Sequence, residues 1–369
     1  MTVYAHINTV PNGSTGGIMM KEHEELLAKG EDSYAFWGRG RSPQGDHEMK
    51  IATNAEVNVD VLRTRMDGRA GFHSRIATRR LLGRLDEIKP DVVHLHNLHG
   101  YYLNVQALFD WLAKSECRVE WTLHDCWPFT GHCAYFTYAK CGQWKCHCAL
   151  DNPCPQLNTY PKTYSRYSCA SNFKDKQRIF TSISPDRMTL IAPSQWLADL
   201  VAESFLNKYT VEIRHNSIDA EIFKPMPSDF RLKHGIGNRF MILGVATPWT
   251  ERKGLHDFIR LASELDSTKV AIVLVGLSDE QISQIPEGIV GLKRTDSPRE
   301  LAGIYSTADI FFNPTVEDNY PSVILEAEAC GTPVLTYDVG GCAEGIHRPD
   351  SIAVSGLEEA LSRIKERLK

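Results

Sequence analysis

Short apolar runs and amphipathic stretches alternate along nearly the whole of this 369-residue chain. A strand-length apolar run followed by a helical period buries its surface by forming βα units, with a parallel sheet covered on both faces. The predicted strands are Val3–Asn8, Val92–Asn97, Arg118–His124, Leu190–Ala192 and Val211–His215, then Phe240–Ala246, Val270–Gly276, Ile310–Asn313 and Val334–Tyr337. Helices are expected between them, at Ile18–Ala28, Gln195–Phe205, Leu255–Leu265, Glu300–Ser306 and Ser322–Ala329. Two such series predict an α/β protein of two doubly wound parallel-sheet domains, 1–214 and 215–369. They are joined where Asn216-Ser217-Ile218-Asp219 and the prolines beyond it interrupt the pattern. A cleft between two such domains is where a ligand is expected.

Composition narrows the function. The chain is 42% apolar and 24% charged, as soluble globular proteins are. Its apolar runs fall short of the roughly 18 residues that span a bilayer. The first residues read as a strand and not as a signal peptide, so a cytoplasmic protein is expected. A net charge of −5 argues against nucleic-acid binding. One segment opposes that balance: Arg63, Arg65, Arg69, Arg75, Arg79, Arg80, Arg84 and Lys89 lie between Val61 and Pro90. Such a run is either a solvated helix face or a basic face for anionic lipid or a pyrophosphate-bearing substrate. The second reading predicts peripheral contact with the inner face of the cell membrane.

Three places carry chemistry. In Glu317-Asp318-Asn319-Tyr320-Pro321-Ser322, a proline is expected at the first helical position. The N–H groups of Ser322 and Val323 then open towards an anion. Glu326, a turn further in, can accept hydrogen bonds from a ribose diol, and Glu317 or Asp318 from sugar hydroxyls. Arg252 and Lys253 follow the Phe240–Ala246 strand, at the carboxyl edge of a parallel sheet, and can neutralise a diphosphate leaving group. The adjacent Gly16 and Gly17 follow the first strand and permit close backbone approach, although neither a dinucleotide fingerprint nor a P-loop is present. His94, His96 and His99 end one strand and His124 another; His124 can donate to a sugar hydroxyl or a departing phosphate.

Several strings together carry a resemblance: Asp91-Val92-Val93-His94-Leu95-His96-Asn97-Leu98-His99-Gly100-Tyr101-Tyr102-Leu103-Asn104, Trp121-Thr122-Leu123-His124-Asp125, Thr130-Gly131-His132-Cys133, Asp318-Asn319-Tyr320-Pro321 and Glu326-Ala327. The chain resembles the retaining glycosyltransferases of family four, in a polysaccharide-biosynthesis branch similar to the colanic-acid-type transferases. The resemblance implies the GT-B fold, two Rossmann-like domains facing a cleft. It also implies transfer of a hexose-type sugar from a UDP- or GDP-sugar to a glycan or polyprenyl-pyrophosphate-linked acceptor in exopolysaccharide synthesis, with no cofactor required for the chemistry. By this resemblance Gly16 and Gly17 face the donor phosphates, His124 lies near the reacting sugar, Lys253 binds the diphosphate and Glu326 holds the ribose. Asn319, Tyr320, Ser322 and Val323 complete the donor site beside Arg252. Two positions depart from the family pattern. Eight residues before Glu326 stands Asp318, with Glu317 one further back, so either could contact the donor sugar. Pro248 replaces the usual arginine five residues before Lys253, and Arg252 or Trp249 is expected to compensate. A sugar-nucleotide epimerase of the same fold and a non-catalytic glycan- or nucleotide-binding protein are the competing readings.

The segment Asp125–Tyr167 breaks the alternation and is expected to be an inserted loop with its own local fastening. Cys133, Cys141, Cys146, Cys148 and Cys154 crowd into it. In a cytoplasmic protein such density argues for structural zinc, held by four thiolates or by three with His132 or His147. Free thiols and disulfides are the other readings.

Overall fold

A computed structural model describes residues 1–41 and 45–369. The chain divides into two compact units, Met1–His215 and Asn216–Lys369.

In the first unit seven strands form one parallel sheet: β1 (Val3–Asn8), β2 (Asp32–Trp37), β3 (Glu48–Lys50), β4 (Val92–Leu95), β5 (Arg118–Thr122), β6 (Met188–Ala192) and β7 (Thr210–Ile213), in the order β3-β2-β1-β4-β5-β6-β7. The second unit has β8 (Phe240–Val245), β9 (Val270–Val275), β10 (Ile289–Leu292), β11 (Ile310–Asn313), β12 (Val334–Tyr337) and β13 (Ile352–Val354), ordered β10-β9-β8-β11-β12-β13. Both are doubly wound. Each chain path runs outward from the first strand of its sheet, returns, and continues on that strand's other side. The switch points lie between β1 and β4 and between β8 and β11. Loops leaving the carboxyl ends of those strands diverge there, which leaves room for a ligand.

Fully buried strands explain why the sequence reads as continuous apolar runs: every residue of β9 is buried. The first unit packs around Trp121, Phe109 and Phe180, whose rings meet at 4.8–5.6 Å. The second unit carries an apolar layer on each face of its sheet. β2, β3, β10 and β13 were not expected. β3 and β13 are three residues long, too short to show a period. The basic segment folds as two helices, Asn54–Asp67 and Arg75–Ile88. The first is set by a capping box in which Thr53 accepts from the Glu56 N–H while the Glu56 carboxylate accepts from the Thr53 N–H. The helix Leu357–Arg367 buries Ala360, Leu361 and Ile364 in the core of the second unit.

The insertion has only single turns of 3-10 helix, at Trp127–Phe129 and Gln143–Lys145. Its fastening is aromatic. Phe129, Phe136 and Trp144 meet at 4.9–6.3 Å. The buried ammonium of Lys176 donates to the carbonyls of Trp127 and Thr130, at 2.8 and 3.0 Å, and lies over the Trp127 ring.

Candidate active site

Two loops build the cationic end of the second unit. After β8, a single 3-10 turn, Glu251–Lys253, leads into the Leu255–Glu264 helix. After β11, the chain runs through Thr315, Glu317 and Asp318 into the Ser322–Ala329 helix. These are the two loops flanking the β8/β11 switch point, and they are stitched together. The Arg252 carbonyl accepts from the Val316 N–H at 2.9 Å and from the Thr315 hydroxyl at 3.1 Å, while the Arg252 guanidinium donates to the Glu317 carbonyl. Gly254, at φ +75°, permits the approach; a Cβ there would lie 2.3 Å from the Pro314 oxygen. A third loop closes the other side. Gly341 donates to the Asp318 carbonyl at 3.0 Å, and a Cβ on Gly340, at φ +59°, would sit 1.9 Å from that oxygen. Only glycine meets both demands.

The result is a carboxylate between two cations. Asp318 Oδ2 lies 2.5 Å from Lys253 Nζ and 3.4 Å from the Arg252 guanidinium, and Oδ1 accepts from the Asn319 N–H at 3.0 Å. Burial pushes its pKa up, but the Lys253 and Arg252 charges outweigh this and hold it below the ordinary carboxylate value. Asp318 meets both cations, and its neighbour Glu317 is fully buried. Glu326 lies one turn into the helix. It accepts from the Tyr305 hydroxyl at 3.2 Å, and burial raises its pKa against the opposing Ser322 and Tyr305 hydrogen bonds. Asn319 and Tyr320 are buried; the Tyr320 carbonyl accepts from Asn216 at 2.9 Å.

Several expectations shift. Pro321 is the N-cap, not the first helical residue: its ψ of 120° is extended, which leaves Ser322 and Val323 as the opening helical pair. Trp249 does not stand in for the missing arginine, because its indole is 5% exposed, donates to the Val275 carbonyl at 2.9 Å and packs on Phe258. Arg252 is the second cation beside Lys253. Tyr305, Gly340 and Gly341 were not anticipated. Paired glycines after a strand were the available signal for the last two.

In the first unit the helix begins at Gly13, earlier than its apolar period suggests, so Gly16 and Gly17 are helical. Gly16 is required, since a Cβ would lie 2.6 Å from the Pro11 carbonyl carbon; Gly17 has open space. His124 is buried and stacks on His96 at 5.4 Å, with its Nε2 3.1 Å from His96 Nδ1. Burial pushes its pKa down to about 4, with Asp125 opposing. Asp125 instead pairs with His99 at 2.8 Å and accepts from the Trp127 N–H at 2.9 Å.

The expected zinc set does not assemble. Cys146 is exposed, and among the described residues no three cysteines gather their sulfurs within 4.8 Å of one another. Irregular spacing on a loop fixed by aromatic packing leaves them at different depths. The Cys133 and Cys169 thiols hydrogen-bond to Cys154, which lowers the Cys154 pKa and raises the other two. Among the described residues the side chains that do converge are His6, Glu22, His94 and His96.

Two doubly wound domains, the second gathering cations, a carboxylate and a helix start at its switch point, define the GT-B class. Solved structures agree on that fold. Sucrose-phosphate synthase from Thermosynechococcus elongatus superposes with a TM-score of 0.70 at 13% identity, over 100% of this chain and 90% of that one. Anabaena HepE in complex with UDP-glucose gives 0.63 at 14%, over 100% and 90%. Residues 238–367 match the family of glycosyl transferases group 1. The putative colanic acid biosynthesis glycosyl transferase WcaC of Escherichia coli (strain K12) is 26% identical over 384 residues, 96% of this chain and 87% of that protein. Alpha-galactosylglucosyldiacylglycerol synthase of Streptococcus pneumoniae is 27% identical over 208 residues, 52% of this chain and 54% of that protein. The match to glycosyl transferases group 1 thus covers most of the second unit, and nearly the whole chain is similar to a glycosyl transferase of polysaccharide biosynthesis.

Proposed function

We propose that this chain is a retaining glycosyltransferase that moves a hexose-type sugar from a UDP- or GDP-sugar to a glycan or polyprenyl-diphosphate-linked acceptor in surface polysaccharide synthesis. The observation that carries this is the pairing of Lys253 and Arg252 on one buried carboxylate at the start of the Ser322–Ala329 helix. Two cations and a helix start form a ready site for a diphosphate, and Asp318 acts as its internal counter-ion until the donor arrives.

In this reading the acceptor hydroxyl attacks the anomeric carbon on the face from which the diphosphate departs. The C–O bond to the phosphate breaks as the new glycosidic bond forms, and the hydroxyl proton passes to the leaving phosphate oxygen. Negative charge grows on that oxygen, so Lys253, Arg252 and the Ser322 and Val323 N–H groups supply most of the stabilisation. Displaced from the cations, Asp318 turns to the donor sugar's hydroxyls. Glu326 accepts from the ribose diol, with Tyr305 holding its other side. Gly16, Gly17 and His124 are the first domain's contributions to donor phosphate and sugar. The WcaC and Streptococcus relatives support a polysaccharide or glycolipid product.

A membrane-bound acceptor suits the first domain's surface. Val59, Leu62 and Met66 are exposed along one face of the Asn54–Asp67 helix, and Ile76 is exposed on the next helix. Arg63, Arg65, Arg75 and Arg79 are exposed on the same two helices. Exposed apolar tips and exposed arginines on the same two helices fit an anionic bilayer surface. Arg69, Arg80 and Arg84 instead pair with Asp175, Glu56 and Glu87. No helix among the described residues is long and apolar enough to cross a membrane.

Thermal-shift screening against UDP- and GDP-sugars, followed by transfer assays on lipid-linked acceptors, tests the assignment. Acceptor-dependent release of UDP or GDP with retained anomeric configuration is expected. Donor turnover into a free epimer without acceptor, or binding with no turnover, would overturn it.

A further inference from the structure

The β1/β4 switch point holds a cluster that the transfer reaction does not use. His6 on β1 stands in register with His94 on β4, and His96 follows two residues later. Glu22 reaches them from the Gly13–Ala28 helix. One ligand atom from each of the four lies within 4.8 Å of every other. Glu22 Oε2 is 3.1 Å from His94 Nδ1, 3.8 Å from His96 Nε2 and 4.0 Å from His6 Nδ1. All three imidazoles are at most 3% exposed. Neither nitrogen of His6 has a hydrogen-bond partner, nor does His96 Nε2. Buried polar atoms are seldom left so.

We infer that His6, Glu22, His94 and His96 bind one divalent transition-metal ion of the zinc type, as a structural site in the first domain. A tetrahedral zinc site sets its ligand atoms about 3.3 Å apart, given Zn–N lengths of about 2.0–2.1 Å. The observed separations need only a small contraction. Three neutral imidazoles and one carboxylate suit this ion. Burial and the neighbouring imidazoles hold His6 and His96 below the ordinary histidine pKa. An outer layer already orients two ligands, because His94 Nε2 is 2.8 Å from the Thr122 hydroxyl and His96 Nδ1 is 3.1 Å from His124 Nε2. With Nε2 on the ion, His96 carries its proton on Nδ1 and donates it to His124. That fixes His124 as the Nδ1–H tautomer. His96 is then a positioning residue for His124, and this last step alone rests on the function proposed above.

The test is metal content by elemental analysis of the full chain purified without chelator, followed by titration of stripped protein with Co²⁺. About one equivalent is expected, with visible d–d bands of a tetrahedral nitrogen–oxygen site and no strong thiolate charge-transfer band. Glu22→Gln, whose site is 29% exposed, and His6→Asn should each weaken Co²⁺ binding by more than the roughly tenfold loss seen for outer-layer changes. Circular dichroism confirms that both variants fold. A combined Cys133→Ser, Cys148→Ser, Cys154→Ser protein should keep the ion. The inference fails if metal stays well below one equivalent in both experiments. It fails equally if the cobalt spectrum shows thiolate ligation that the cysteine variant abolishes, or if both ligand variants bind Co²⁺ as tightly as the natural sequence.

Discussion

Lys253→Ala, Asp318→Asn and the double variant separate two roles that Lys253 could have. Asp318 is 8% exposed and the Lys253 side chain 21%. A charge-assisted hydrogen bond at that depth is worth about 1.5–3 kcal/mol. Breaking a buried pair outright costs about 3–5 kcal/mol. The lower range applies, because Arg252 at 3.4 Å and the Asn319 N–H at 3.0 Å still hold the carboxylate. Lys253→Ala should therefore lower unfolding free energy in urea by about 1.5–3 kcal/mol. The double variant should be more stable than the sum of the singles by a similar amount, since it leaves no carboxylate to strand. Turnover should behave differently. Loss of one donor to the leaving diphosphate costs about 10²–10³ in rate, whether or not Asp318 is charged. Asp318→Asn should also raise affinity for UDP or GDP alone, by freeing the cations, while weakening binding of the nucleotide sugar. Calorimetry and transfer kinetics read these quantities. If the double variant regains the natural turnover, Lys253 serves only to neutralise Asp318 and the diphosphate assignment is wrong.

Glu326→Gln should raise the melting midpoint at pH 8 while lowering nucleotide affinity about tenfold or more, from loss of a charged acceptor. The sign follows from burial: the folded-state pKa lies above the ordinary carboxylate value, so stability is complete at low pH and is lost as pH rises through that raised pKa. The gap between variant and natural protein should close as pH falls through the raised pKa into the ordinary carboxylate range, and a lower midpoint at pH 8 would contradict this. Gly340→Ala should cost about 2 kcal/mol or more and depress turnover, because its Cβ meets the Asp318 carbonyl in a left-handed backbone. Gly331→Ala, also left-handed but with nothing closer than a Pro225 carbon at 3.5 Å, should cost about 1–2 kcal/mol and spare turnover. Equal turnover losses in the two would remove Gly340 from the site. Leu62→Glu with Met66→Glu should reduce co-sedimentation with vesicles containing anionic lipid; undiminished binding would exclude this face as the membrane contact.

The periodic parts of the fold were legible because burial on both sheet faces writes itself into local sequence. β1, β11 and β12 and the Ser322–Ala329 helix begin and end where the apolar pattern does. The placement of Arg252 and Lys253 after a strand and of Glu326 inside a helix was likewise readable. What one strand says about itself does not say which strand lies beside it. Which of Glu317 and Asp318 meets Lys253 and Arg252 depends on how one loop sets two adjacent side chains, and contacts with two further loops hold that loop. His6 and Glu22 lie far along the chain from His94 and carry no motif. They meet His94 and His96 only because the β1/β4 register and the crossover helix bring them to one point. The cysteines mislead for the converse reason, since closeness along a loop is not closeness in space once aromatic packing decides how that loop folds. Sequence therefore determined the layers and the chemical types at their edges, whereas tertiary structure alone decided which groups share a charge, because electrostatic and ligand contacts act over a few ångströms between residues that chain order does not relate.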